Sequence, residues 1–145
     1  MRTTAVKIIA NDLAWISGNG VFLSNSVMNT TVTANAFRWL GTNGVAVLGK
    51  TGAALMDGRD GEAMAAVQGT LSDNGVRLPM YNLISHNIFG DYGVWDKQSA
   101  CFHKALAPRN TFLNNVCFNS SRHGVLPWLG PTLDRDSSAF HALDL

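Results

Sequence analysis

The stretch from Ala10 to Val47 writes one pattern twice, 24 residues apart. Asn11-Asp12-Leu13-Ala14-Trp15 leads through a polar turn to Gly20-Val21-Phe22-Leu23, and Asn35-Ala36-Phe37-Arg38-Trp39 leads likewise to Gly44-Val45-Ala46-Val47. Asn115-Val116-Cys117 reaches Gly124-Val125 with the same nine-residue gap from Asn to Gly, and a shortened copy runs from Asn87 to Gly93-Val94. A fixed period in the twenties, built from short apolar runs with no room for long helices, constrains a chain to a solenoid. A leucine-rich repeat has a similar period but sets its Asn in a Leu-x-x-Leu-x-Leu frame, which this sequence lacks. The expected fold is therefore all-β, a parallel β-helix of about four coils over residues 6–125.

Within that frame Leu13, Trp15 or Ile16, Val21 and Leu23 alternate with polar or small neighbours, as half-buried strands do. Phe89, Val94 and Trp95 are expected to continue the core. Trp15 and Trp39, at the repeat offset, read first as core residues and second as a sugar-stacking stripe. The recurrent Asn11, Asn35, Asn87 and Asn115 mark the corners of the coils. An amide both donates and accepts along the axis, so stacked copies are expected to form a ladder that satisfies buried backbone groups. Residues 48–79 break the period with polar, Gly-rich sequence, the signature of an insertion looped over one face. Beyond Val125, Pro127 and Pro131 argue against an interior strand, and residues 126–145 read as an irregular tail.

Only 14% of the 145 residues are charged and the formal net charge is +1, which removes the basic face a nucleic-acid binder needs. No apolar run is long enough to span a bilayer. The N-terminal residues show no secretory signal, and the chain starts almost directly on a strand-like segment, as a piece of a longer solenoid would. Cys101 and Cys117 are compatible with a disulfide, but Cys117 falls where Leu13 and Phe37 stand in the repeat, which favours two buried thiols. Asp57, Asp60 and Glu62 gather three carboxylates in the insertion; they are candidate Ca²⁺ ligands, although a solvated acidic loop is the simpler reading.

Candidate catalytic residues are Asp96, Lys97, His103 and Arg109, with Asp91, Arg122 and His123 as candidate substrate contacts. Acidic-polysaccharide chemistry needs a cation beside a uronate and a base for its α-proton, or paired carboxylates at the glycosidic bond. These residues fall on or after the later coils, where such groups would line a groove. The Asn-Thr-Asp and Asp-Asp pairs of polygalacturonases are absent, which disfavours that hydrolysis.

Asn35-Ala36-Phe37-Arg38-Trp39-Leu40-Gly41, Tyr92–Phe102 and Arg109–Asn119 resemble a eukaryotic family of large, right-handed parallel β-helix proteins in the pectate-lyase-like superfamily, from algae and marine invertebrates. The resemblance covers residues 6–125. It implies a right-handed coil and an extracellular or cell-surface setting. The β-helix reading and the candidate residues together point to a carbohydrate-active protein, lyase-like or hydrolase-like, acting on acidic glycans, or else to a non-catalytic structural or glycan-binding solenoid. After Arg122-His123-Gly124 the chain departs from the family pattern, as a truncated member would, and the end coils are expected to self-associate through exposed strand edges.

Overall fold

The computed structural model describes residues 3–49, 78–128 and 142–144. Among these residues every regular element is a strand and every pairing is parallel. One sheet joins β2 (Lys7–Ile9), β6 (Thr31–Thr33), β9 (Leu83–Ser85) and β12 (Thr111–Leu113). A second joins β3 (Asp12–Ile16), β7 (Ala36–Leu40), β10 (Ile88–Tyr92), β13 (Asn115–Phe118) and β15 (Ala142–Asp144). The third joins β4 (Val21–Ser24), β8 (Val45–Leu48), β11 (Ala100–Ala105) and β14 (His123–Trp128). A short pair, β1 (Thr3–Thr4) with β5 (Val27–Met28), is extended by a bridge from Met28 to Met80. Each passage of the chain adds one strand to each sheet, in sequence order, and the result is a solenoid-like stack with open sheets.

The registers show where the repeat is kept and where it is interrupted. Lys7 pairs with Thr31, Asp12 with Ala36 and Val21 with Val45, each 24 residues on. At the next step Ala36 pairs with Ile88, 52 residues on, whereas Val45 pairs with Phe102, 57 on. Five extra residues therefore enter between β10 and β11. This corrects the shortened copy read at Gly93-Val94. The residue in register with Gly44 is Cys101, and Gly93 belongs to the extra segment.

Side chains at Leu13, Phe37, Phe89 and Cys117 form one inward row across the second sheet, with Phe37 and Phe89 stacked at 4.5 Å. Facing them are Gly20, Gly44 and Cys101. A Cβ at Gly20 would lie 2.7 Å from the Phe37 ring, and one at Gly44 2.5 Å from the Phe89 ring. Glycine is required at both places because the ring opposite and the carbonyl of the next passage, at Gly44 and Cys101, together fill the side-chain volume. Where the third such pair would stand, Cys101 is disulfide-bonded to Cys117. The expectation of two buried thiols is thus corrected: both residues are buried, but the bond replaces a glycine–ring contact.

Three further expectations change. Trp15 and Trp39 lie outside the core, at 77% and 44% exposure, and so do Val94 and Trp95; the place expected for Val94, in register with Val45, is taken by Phe102. Leu126 continues β14, and Ala142–Asp144 pairs with β13, so parts of the expected tail are strands. Pro127 is accommodated because β14 is the last strand of its sheet, where a missing N–H interrupts no ladder. Lys104, a candidate polar residue beside His103 in the sequence, is not on the outward face. It occupies the inward row of Leu23 and Val47, and burial lowers the pKa of its ammonium.

Candidate functional site

Asparagine side chains tie the passages together at the corner that precedes the second sheet. Asn35 Oδ1 accepts from the Asn11 N–H and Nδ2, Asn87 Oδ1 from the Asn35 N–H and Nδ2, and Asn115 Oδ1 from the Asn87 N–H and Nδ2, at 2.9–3.1 Å. Nδ2 of Asn35, Asn87 and Asn115 also donates to the carbonyls of Ile8, Val32 and Ile84. Two further runs escaped the sequence reading. Asn82 and Asn110 accept the Thr30 and Asn82 N–H groups, and Asn19 and Asn43 accept those of Asn43 and Ala100. The signal for the second lay in the alignment of Asn19 with Asn43.

The corner that follows the second sheet is where polar chemistry gathers. It is turned by one residue per passage, at Trp15, Trp39, Asp91 and Asn119, each with φ between 54° and 60°. Asp and Asn enter this left-handed region readily, whereas a bulky aromatic does so at a cost. The turn throws each side chain outward. The Trp15 and Trp39 rings stack with centroids 5.3 Å apart and an interplanar angle of 8°. Asp91 follows in place of a third ring, and its Oδ1 accepts from Asn119 Nδ2.

The five-residue excess between β10 and β11 stands beside this row. The N–H groups of Gly93, Val94 and Trp95 bond the carbonyls of Thr42, Leu40 and Gly41, which pins the segment to the preceding passage. Between segment and row lies a cleft of about 290 Å³, lined by Trp39, Asp91, Gly93, Lys97, Asn119 and Ser121 among others. Lys97 Nζ donates to the Gly93 and Val94 carbonyls. On the adjoining sheet face Arg38 is paired with Asp12, and the Phe118 ring lies across Gly90.

Of the residues singled out in the sequence, the cleft brings together Asp91 and Lys97. Asp96 accepts the Gln98 N–H at 2.9 Å, and Arg122 donates to Gln98 Oε1. His103 stands on the outward row of the third sheet. Arg109 stacks 5.7 Å over Tyr81 at the corner before the first sheet. His123 begins β14, and its carbonyl accepts from the Tyr92 hydroxyl. Asp57, Asp60 and Glu62 lie outside the described residues. Among the described residues, no three His, Cys, Asp or Glu side chains come close enough to hold a metal ion, and no helix is long and apolar enough to cross a membrane.

Burial holds the His103 imidazole below its ordinary pKa of 6.5, with the nearby Asp96 carboxylate opposing that shift. Between the lowered folded value and 6.5 the unfolded chain binds more protons, so acid favours unfolding there. Thermal unfolding from about pH 8 to about pH 5 should show a loss of melting temperature as pH falls through the mid-sixes. His103→Gln should lack that part of the slope.

No protein-family model, curated protein or solved structure matches this chain.

Proposed function

We propose that the protein is a non-catalytic, glycan-binding solenoid whose ligand lies over the Trp15–Trp39–Asp91 corner. The observation that carries this reading is the exposed, mutually stacked tryptophan pair at the rim of a polar cleft. Indole faces bind the apolar C–H faces of sugar rings, while carboxylate, amide and ammonium groups beside them satisfy the hydroxyls. Asp and Asn, which enter the left-handed region readily, turn the same corner in the later passages, so the turn itself does not call for tryptophan at positions Trp15 and Trp39.

For the fold, the reading extends to a right-handed parallel β-helix of about four coils, related to the pectate-lyase-like superfamily. The sequence-ordered parallel sheets and the repeat from Ala10 to Val47 support it. The lyase-like or hydrolase-like reading draws less support, because Lys97 is directed at the Gly93 and Val94 carbonyls, Asp96 accepts the Gln98 N–H, and Arg109 stacks on Tyr81 at the corner before the first sheet, so the four candidate catalytic residues do not converge on one bond.

The test is a polysaccharide panel with and without Ca²⁺, following retention of the protein on insoluble glycans together with reducing ends and unsaturated products. Binding without turnover is expected, and Trp15→Ala with Trp39→Ala should weaken it by about tenfold or more. Turnover abolished by Lys97→Ala would replace this reading with the lyase. A folded protein that retains on no glycan would end it.

A further inference from the structure

We propose that the cleft beside Trp39 holds a single ring of a neutral, hydroxyl-rich sugar, and discriminates against uronates. This rests on the glycan-binding reading and names its ligand class. The stacked row of aromatics stops at Trp39. One Trp39 face is covered by Trp15, and Trp39 also lines the cleft, which does not reach Trp15. Successive passages are separated by about 4.8 Å, the ordinary spacing of paired strands. A third ring stacked in the same manner would occupy the level of Asp91. The hydrogen bond from Asn119 draws the Asp91 carboxylate toward the following passage and away from Trp39. A ring-sized space is left with one aromatic wall, and its volume sits at the lower end of small-ligand clefts, suited to one sugar unit rather than a long stretch.

The charges around that space decide the class. Asp91 contributes a carboxylate, and Lys97 is the cation among the lining residues. Two of the ammonium hydrogens of Lys97 are directed at the Gly93 and Val94 carbonyls. Arg38, on the neighbouring row, is paired with Asp12. A uronate would bring a second carboxylate next to Asp91 against the single lining cation among the described residues, Lys97, and like charges at such range repel. Neutral hydroxyls have complementary partners: the Asp91 carboxylate accepts, Lys97 and Asn119 donate, and Ser120 and Ser121 do either.

Tryptophan fluorescence and calorimetric titration of the 145-residue protein with a β-1,4-linked glucose tetrasaccharide and a galacturonate tetrasaccharide test this directly. The glucose oligomer is expected to quench fluorescence and bind roughly tenfold or more tightly than the galacturonate. Trp39→Asn installs at this corner the residue the chain itself uses at Asn119, so it should keep the melting temperature and lose the binding. Asp91→Asn should narrow the preference by admitting galacturonate. Tighter binding of galacturonate by the unmodified protein would overturn the ligand class and leave glycan binding standing. Binding of neither sugar class, on this panel and on insoluble glycans, would sink both. Undiminished glucose-oligomer binding by folded Trp39→Asn would place the site elsewhere.

Discussion

Replacing Asn87 with leucine should cost about 4 kcal/mol or more of unfolding free energy, the sum of two to four buried polar groups left without partners at 1–3 kcal/mol each. Asn87 is almost fully buried in the middle of the corner ladder. Its Oδ1 accepts two hydrogen bonds from Asn35, and its Nδ2 donates to the Val32 carbonyl and to Asn115 Oδ1, all at 2.9–3.0 Å. Leucine matches the volume but orphans those groups where water does not reach them. At about 2–4 °C per kcal/mol for a chain of this size, the melting temperature should fall by roughly 10 °C. Asn11→Ala is the internal control. That amide is the exposed end rung, with bonds to the Ile9 carbonyl and Asn35 Oδ1, and its loss should cost under about 1 kcal/mol. Asn87→Asp separates shape from hydrogen bonding, since it keeps an acceptor for Asn35 but turns a second oxygen toward the Val32 carbonyl and Asn115 Oδ1. Its penalty should be large at neutral pH and shrink relative to wild type as acid protonates it. Chemical denaturation giving a similar small loss for Asn87→Leu and Asn11→Ala would mean that the ladder does not hold the passages together.

The 24-residue offset and the polar corner at Asn11 and Asn35 were legible because the first two passages are copied without insertion. The first sheet was legible only in the strand-like opening segment that holds β2. Its strands are three residues long, and Thr31-Val32-Thr33 presents one buried side chain between two threonines, too little alternation to mark a strand. Trp15 and Trp39 were misplaced for a specific reason. Strict alternation from Leu13 turns every second residue inward and assigns Trp15 to the core. The left-handed residue at the corner breaks that alternation, so Trp15 points out and Ile16 packs inward. The cleft was half legible: Asp91 and Lys97 could be singled out as polar groups after a core strand. Their partner Trp39 reads first as core and only second as a sugar-stacking residue, because its place depends on a backbone dihedral and on five extra residues that make Gly93 look like the equivalent of Gly44.

The same register predicts how the disulfide can be exchanged for packing. Removing it by Cys101→Ala with Cys117→Ala should cost about 3 kcal/mol, the value for closing a loop of some fifteen residues. The two preceding passages solve the same interior site differently, with Gly20 opposite the Phe37 ring and Gly44 opposite the Phe89 ring. Cys117 lies in register with Phe89, so Cys117→Phe would continue the ring row. Alone, it should be more damaging than Cys117→Ala, because the new ring meets the Cys101 Cβ at the short range that excludes a Cβ from Gly20 and Gly44. Combined with Cys101→Gly it should recover stability, with a favourable coupling of about 1–3 kcal/mol between the two positions. The double variant should also melt at the same temperature with or without reductant, whereas the wild type should lose stability on reduction. Denaturant titration of the four proteins of that cycle in reductant, where the wild-type disulfide is open, measures the coupling. Additive effects would show that glycine and ring do not depend on each other across the interior, and that the disulfide stands in a different environment from the pairs before it.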